Sequence, residues 1–289
     1  MEEAVMSGRA KARGSASLGL GILSWRAPLT LAATLQNYAE NGLFEHFDQC
    51  LLFCQELSEH DRQVAQRFAL PIDGSVQNLG ILGGVTQLLE RLETEYVVLL
   101  ENDCPLMETG AEAGRQLGAA LADLQAGVAQ LFRLRHLQQP GEGFCTLGKY
   151  LRYHPVRDSW LDSRMTEQSP GLRWVRRWLR PGKARRLSGI AAYAERHPEL
   201  YFAEVFHRSQ NGNLITSSHY LNWTNQSILV KRRWMLDTLL PWVAAHPSRR
   251  TVNGFPDIEK ELNGRWWRRQ AIPIGLTTPG LFTHRRLDR

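Results

Sequence analysis

Short apolar runs alternate with amphipathic runs along the first hundred residues. Apolar runs predict buried strands, and apolar positions three and four apart predict helices. The predicted order is a strand over 18–25, a helix from 28 to about 41, a strand over 50–54, a helix over 58–68, a turn over 71–74, a helix from about 85 to 92 and a strand from 96. Strands that alternate with helices across short connections favour a parallel sheet with right-handed crossovers. This half is therefore predicted to be a doubly wound nucleotide-binding unit.

The pattern is less regular in the second half. After a predicted helix over 111–125 and a strand over 128–134, residues 138–213 mix Pro, Gly, Arg and aromatic residues without a long periodic element. Such composition is typical of substrate-specific loops, so we predict an insertion outside the core. Apolar residues return over 215–230, and a helix is predicted over about 232–245. Residues 1–16 are predicted to be a flexible tail.

One apolar run stops on a small cluster of acids. Tyr96–Leu100 predicts a strand buried on both faces, and Glu101 and Asp103 follow it directly. Open α/β sheets bind ligands at this carboxyl edge. Two carboxylates one residue apart can bind one divalent cation, which can hold the diphosphate of a nucleotide. A polar strand end that merely meets water is an equally good interpretation of this segment alone.

The amino-acid composition excludes only some classes of protein. The 289 residues, 43% of them hydrophobic, suffice for a sizeable core. The four cysteines form no CxxC pair and no zinc-ligand spacing, so a reducing cytoplasm fits best. The first apolar segment is too short for a signal peptide or membrane span. The net charge of +6 and the excess of arginine over lysine favour an anionic partner, which could be nucleic acid, a membrane surface or a nucleotide.

Three segments together resemble the GT-A glycosyltransferases, and within them the inverting family 2 group. They are the opening strand and turn over 21–28, the segment Asn78–Gly84 before the third helix, and Glu101-Asn102-Asp103 at the place of the family's DXD motif. The resemblance implies an α/β fold: a GT-A type, Rossmann-like mixed sheet flanked by helices, with an irregular insertion. It divides a single domain, 17–289, into a nucleotide-sugar-binding half (17–135), the insertion (136–213) and an acceptor-binding half (214–289).

The resemblance also implies a donor site with a Mn²⁺ or Mg²⁺ cofactor. Such a cation neutralises the charge that develops on a leaving diphosphate. The implied metal ligands are Asp103, then Glu101, and His284 in the C-terminal Gly-Leu-Phe-Thr-His run, although His284 alone would fit an ordinary surface residue equally well. The residues expected to contact the donor are Ser24, Arg26, Asn78, Gly83, Gly84 and Glu101.

Two of these donor assignments have structural alternatives. Gly83 and Gly84 allow close backbone approach to a donor, but they equally fit a tight strand-to-helix turn that needs positive φ. Asn78 can hydrogen-bond a base or ribose, but it is equally common as a turn residue.

An inverting transfer needs a base that takes the proton of the acceptor hydroxyl. In enzymes of the family this carboxylate stands at the start of a helix. The segment Pro256–Glu259 has the form of a helix start, so Glu259, and after it Asp257, are the candidate bases. The alternative is that these acids only stabilise the helix dipole, worth about 0.3 to 1 kcal/mol each.

Residues 172–180 predict a short basic amphipathic helix. Four arginines share one side of it, and Leu and Trp residues occupy the other. Such a helix can dock on an anionic membrane face that presents a lipid-linked acceptor. Alternatively, it packs Trp and Leu on the core and leaves its arginines in solvent.

The sequence therefore predicts a cytoplasmic, metal-dependent glycosyltransferase of the hexosyltransferase class, which could associate peripherally with the inner membrane face. It would move a sugar from a nucleotide-sugar donor to a saccharide or lipid-linked acceptor in bacterial surface polysaccharide or glycolipid biosynthesis. Two other classes stay open. A nucleic-acid-binding protein would use the Arg/Trp-rich surface, although no nucleic-acid partner is expected, and a catalytically silent relative would bind sugar nucleotides without transfer.

Overall fold

The structure is a computed structural model that describes residues 16–142, 144–161, 169–248, 251, 254–255 and 257–288. Of the predicted tail, residues 1–15 lie outside the described residues. Within the described residues, no helix is both long and apolar enough to cross a membrane.

Four parallel strands form the first half of one nine-stranded sheet. The strands are β1 Leu18–Trp25, β2 Gln49–Gln55, β3 Ile72–Ser75 and β4 Tyr96–Glu101. The helices that join and follow them are α1 Pro28–Glu40, α2 Glu59–Arg67, α3 Gly80–Arg91 and α4 Gly110–Gln125. β1 lies between β2 and β4, with Leu23 opposite both Phe53 and Glu101. The predicted parallel unit is confirmed.

The second half completes the sheet with mixed pairing. Its strands are β5 Leu131–Arg133, β6 His207–Arg208, β7 Leu214–Ser217, β8 Ile228–Lys231 and β9 Pro273–Leu276. The order across the sheet is β3-β2-β1-β4-β8-β5-β9-β7-β6. β8 runs antiparallel between β4 and β5, and β5 pairs in parallel with β9. The predicted fold, a Rossmann-like mixed sheet flanked by helices, is confirmed.

Short helices make up much of the remaining chain. They are α5 Thr146–Leu151, α6 Pro170–Leu179, α7 Pro181–Leu187, α8 Pro198–Tyr201, α9 Arg232–Trp234, α10 Leu240–Ala245, α11 Ile258–Leu262 and α12 Arg265–Gln270. A π-helical turn, Met235–Leu239, joins α9 to α10. This run matches the helix predicted over 232–245.

Two local predictions around the third helix are wrong. Residues 72–75 pair with β2 as a strand, although 71–74 suggested a turn because Pro71 and Gly74 interrupt the apolar pattern. α3 begins at Gly80, so Gly83 and Gly84 lie inside the helix and form no positive-φ turn. The positive φ belongs to Gly80, at +70°. A Cβ on Gly84 would lie 2.8 Å from Cδ1 of Leu23, so this glycine instead lets α3 pack closely on β1.

The prediction that 138–213 lies outside the core is also wrong. Side chains of this segment belong to the same buried cluster as β4 and α3, among them Tyr150, Leu151, Ile190, Tyr193 and Phe206. The 3-10 helix Ser188–Tyr193 is buried along its whole length. Because these elements are short, they never repeat an apolar position often enough to show a helical period. The wider division into donor half, insertion and acceptor half stays a prediction.

Candidate active site

The acidic segment lies at the carboxyl edge of the parallel strands. β4 ends at Glu101, and the Asn102 N–H donates to the Leu23 carbonyl oxygen at 3.0 Å, which fixes the segment beside the end of β1. The Asp103 carbonyl oxygen accepts from the Arg285 N–H at 2.9 Å. The C-terminal residues therefore close over the edge where open α/β sheets bind ligands.

This closure brings together two of the predicted metal ligands. Nε2 of His284 lies 3.1 Å from Oδ2 of Asp103, and both side chains are largely buried. Nδ1 of His284 lies 3.2 Å from the Glu142 carbonyl oxygen, which can only accept. These partners assign the proton of the neutral imidazole to Nδ1. The Nε2 lone pair then faces a carboxylate oxygen, an arrangement that needs a proton or a cation between the two atoms.

The donor set fits Mn²⁺ or Mg²⁺. An octahedral ion with ligands at about 2.1 Å holds neighbouring ligand atoms about 3.0 Å apart, close to the observed spacing. A histidine that binds a metal usually donates its other N–H to a carboxylate or carbonyl, as His284 does. Among the described residues, no group of three or more His, Cys, Asp or Glu side chains could hold a metal. Asp103 and His284 would therefore supply two ligands, and substrate phosphate and water would complete the shell.

A cleft with a volume of about 180 Å³ opens beside Asp103. The predicted donor contacts Ser24, Asn78 and Glu101 line it together with Asp103. Oδ1 of Asn78 accepts from the Gly80 N–H at 2.7 Å, and Oε1 of the buried Gln55 accepts from the Leu79 N–H at 2.7 Å. Asn78 thus shapes the start of α3, as its turn interpretation requires, while it also lines the cleft.

The other predicted donor contacts lie elsewhere. Gly83 and Gly84 are not among the lining residues; Gly80 lines the cleft instead. Arg26 is not a lining residue either, since it is exposed and forms an ion pair with Glu56. Sequence spacing could not reveal this pairing because Glu56 follows a different strand.

Arg286 is a cleft residue that the sequence did not single out. It lines the cleft together with the acids. Its charge lowers the pKa of Glu101, against the larger upward effects on that carboxyl. A guanidinium in such a cleft suits a phosphate oxygen. The signal in the sequence that could have identified Arg286 was its position two residues after His284, a candidate metal ligand.

The two candidate bases have different places at the start of α11. Asp257 is the N-cap residue, and its Oδ1 accepts from the Glu259 N–H and from Nδ2 of Asn225, both at 3.2 Å. Glu259 accepts from the Asn225 N–H at 3.1 Å. Burial, and secondarily Asp257, raises the pKa of Glu259 above its ordinary value of 4.5. Asp257 therefore has the helix-capping role, and Glu259 has the raised pKa that suits a general base. Asn225, a further residue that the sequence did not single out for the site, holds both.

Glu259 lines a second, larger cleft of about 540 Å³. Its walls come from the end of β5, from α5, α7 and the residues that follow it, from the 220–226 loop and from α11 and α12. Five of its lining residues are basic: Arg133, Arg135, Lys183, Arg186 and Arg268.

The acids of the two clefts interact electrostatically. Burial, and after it the carboxylates of Asp103, Glu259 and Asp257 in that order of effect, raise the pKa of Glu101 to about 8. Glu101 also lines the first cleft. The geometry therefore places a candidate metal pair, a candidate phosphate contact and a candidate base around two neighbouring clefts.

By sequence, the chain matches no family model and no curated protein. By structure, it aligns with GT-A glycosyltransferases, the class that its sequence resembles. They include the mannosyltransferase PcManGT from Pyrobaculum calidifontis in complex with GDP-Man and Mn²⁺ (12% identity, TM-score 0.35, 41% of this chain and 35% of that one). S. aureus TarS 1–349 in complex with UDP-GlcNAc aligns at 9% identity and a TM-score of 0.48, over 94% of this chain and 59% of that one.

A third alignment is with the glucosyl-3-phosphoglycerate synthase of Mycobacterium tuberculosis in complex with Mn²⁺, UDP and glucosyl-3-phosphoglycerate. Its identity is 10% and its TM-score 0.45, over 94% of this chain and 73% of that one. The chain thus spans about a third of the length of the first of these structures and about three fifths of the length of the second.

Proposed function

We propose that the protein is an inverting, metal-dependent glycosyltransferase of the hexosyltransferase class. The observation that carries the proposal is the pairing of Asp103 with His284 in the donor cleft, beside a second cleft that contains Glu259. One cleft would hold the nucleoside diphosphate sugar and the other a saccharide or lipid-linked acceptor.

The donor cleft supplies charge for a leaving diphosphate. Asp103 and His284 would hold Mn²⁺ or Mg²⁺, and the cation would neutralise negative charge on the phosphates. Arg286, which lines the cleft, would donate to a phosphate oxygen from its guanidinium group. Ser24 and Asn78 would contact the nucleotide from the other wall.

The acceptor side supplies the proton acceptor. As the acceptor oxygen bonds to the anomeric carbon, the bond from that carbon to the diphosphate oxygen breaks, and the hydroxyl proton passes to Glu259. A buried carboxylate with a raised pKa is a stronger base than an exposed one. The Asn225 N–H and the Asp257 cap hold Glu259 in place.

We further propose that α6 docks the enzyme on an anionic membrane face. The core-packing interpretation of this helix does not agree with the structure, because its apolar side chains are exposed: Trp174 is 67% and Trp178 70% exposed. Nε of Arg173 donates instead to the Leu151 carbonyl oxygen. Exposed Trp and Leu beside arginines suit the headgroup region of a bilayer. This placement agrees with a role on the cytoplasmic side in surface polysaccharide or glycolipid synthesis.

The first test is thermal unfolding with a panel of nucleoside diphosphates and nucleotide sugars, each with Mn²⁺ and with chelator. A ligand at about 100 times its dissociation constant adds ~2.7 kcal/mol of stability. A metal-dependent shift with one base, followed by sugar transfer or donor hydrolysis, supports the proposal. Binding without either reaction would indicate a silent relative. A shift with oligonucleotides alone would indicate nucleic-acid binding.

A further inference from the structure

The second cleft carries an unusual excess of positive charge. Arg133, Arg135, Lys183, Arg186 and Arg268 line it, and among its described lining residues Glu259 is the only carboxylate. The five basic residues come from three separate parts of the chain, so the fold and not a local charge run brings them together. Composition alone does not explain such a cluster on the inside of a cleft.

The two buried arginines of the cleft form no close ion pair with a described carboxylate, and Glu259 acts on them only at longer range. Arg133 is 6% and Arg135 9% exposed. Arg133 donates to the Asn222 carbonyl oxygen, and Arg135 donates to neutral oxygens of Pro140, Glu142 and Gln226. Buried charges in proteins are normally paired with an opposite charge. Across the described part of the chain, neither arginine has a carboxylate within 4.0 Å.

The cations at the mouth repel one another. Burial lowers the pKa of Arg268, and the neighbouring charges of Arg186 and Arg265 lower it further. Lys183 lies over the ring of Tyr153, 5.5 Å from its centroid. None of Lys183, Arg186 and Arg268 forms an ion pair with a described carboxylate. Repulsion of this kind costs stability in the empty protein, and a bound anion would remove it.

We infer that the acceptor bears phosphate, and that the basic cleft binds its phosphate group while Glu259 faces the hydroxyl that receives the sugar. This inference rests on the proposed function, since it assigns the acceptor to the second cleft. Phosphate is favoured over a single carboxylate because it carries up to two charges and accepts bidentate hydrogen bonds from several guanidinium groups at once. The phosphate belongs either to a soluble sugar or polyol phosphate or to a lipid phosphate at a membrane surface.

The inference can be tested by titration calorimetry with glycerol 3-phosphate and, as the neutral probe, glycerol. The buffer contains chelator, so that no metal supports phosphate binding in the donor cleft. We expect saturable binding of the phosphate ester only, weakened at least tenfold in the double variant with Arg186→Gln and Arg268→Gln. Arg269→Gln is the matched control, because Arg269 follows Arg268 on α12, is exposed and does not line the cleft. Asp103→Asn should leave ester binding unchanged.

A second arm separates the two sources of phosphate. Vesicles of phosphatidylcholine with and without phosphatidic acid are sedimented with protein in which Arg173, Arg176, Arg177 and Arg180 are changed to Ser, with and without the substitutions of the double variant, so that α6 does not contribute to binding. A lipid acceptor predicts that the double variant loses phosphatidic-acid binding, whereas a soluble acceptor predicts that ester binding alone is lost. Equal binding of glycerol and its phosphate, or equal ester affinity in wild type and double variant, would overturn the inference. Metal-dependent nucleotide binding, measured on the same variants, tests the proposed function separately.

Discussion

His284 and Asp103 lie 181 positions apart in the sequence, yet Nε2 of the histidine is 3.1 Å from Oδ2 of the aspartate. The C-terminal segment makes this contact possible by running back along the carboxyl edge, where the Met107 N–H donates to the Leu281 carbonyl oxygen at 2.8 Å. The imidazole proton at Nδ1 is directed at Glu142, so the remaining lone pair points at a carboxylate. Either a proton or a divalent cation between the two atoms would satisfy both, and the proposed function assigns the cation.

We expect Asp103→Ala to lower the rate of sugar transfer by about a hundredfold or more, because the cation loses its carboxylate ligand. The fold should remain, which circular dichroism melting would verify. Asp237→Ala is the control, since Asp237 is exposed on the π-helical turn. Near-normal turnover of Asp103→Ala with a full set of donors would refute the metal assignment.

Glu259→Gln is expected to keep donor binding and lose transfer, because the amide cannot take a proton from the acceptor hydroxyl. Nucleotide affinity and initial rates, measured on the same preparation, separate the two effects. Asp257→Ala should lower stability more than it lowers the chemical rate, since it removes the helix cap. An undiminished rate in Glu259→Gln would remove Glu259 as the base.

The same substitution should change the pH dependence of stability. The pKa of Glu259 is raised in the folded state, so ionised Glu259 costs stability at any pH above that pKa. Glu259→Gln removes this cost, and we expect its Tm to exceed that of wild type at pH 8. The difference should shrink as the pH falls and vanish below 4.5, where the wild-type carboxyl becomes protonated in both the folded and the unfolded state. A difference that is independent of pH would contradict the raised pKa.

Arg286→Gln should weaken metal-dependent nucleotide binding about tenfold or more, because a charge-assisted hydrogen bond to phosphate contributes about 1.5 to 3 kcal/mol. Binding of the free nucleoside should not change, since it has no phosphate to contact. The exposed neighbour supplies the control, Arg285→Gln. Equal losses for nucleoside and nucleotide would instead indicate that the cleft had lost its shape.

Replacing Arg173, Arg176, Arg177 and Arg180 with Ser should reduce sedimentation with anionic liposomes. Each basic residue near such a surface contributes about 1 kcal/mol, so the partition coefficient could fall by up to about a thousandfold. Trp174→Ser with Trp178→Ser should weaken binding to the same vesicles through loss of apolar contact. Arg62→Ser with Arg67→Ser on α2, which removes two positive charges outside α6, controls for the loss of net charge. Unchanged sedimentation of the fourfold variant would exclude a membrane role for α6.

Strong local signals in the sequence determined the first half of the fold. Buried strands such as β1 and β4 are apolar runs in the sequence, and α2 begins with a local cap, in which the Ser58 side chain accepts from the Asp61 N–H. Glu101 and Asp103 could be placed at the sheet edge because they directly follow a strand. Such features depend on neighbours within a few residues, so they can be predicted from the order of residues along the chain.

The tertiary structure alone decided the rest. Several features of the site join residues from different elements. They are the ion pair of Arg26 with Glu56, the place of Arg286 in the donor cleft, and the hydrogen bonds of Asn225 to Asp257 and Glu259. The core role of 138–213 was hidden because its elements are too short to show a period. The basic cleft was hidden for a related reason: its charges are scattered along the chain, and only the packing of β5, α7 and α12 brings them to one surface.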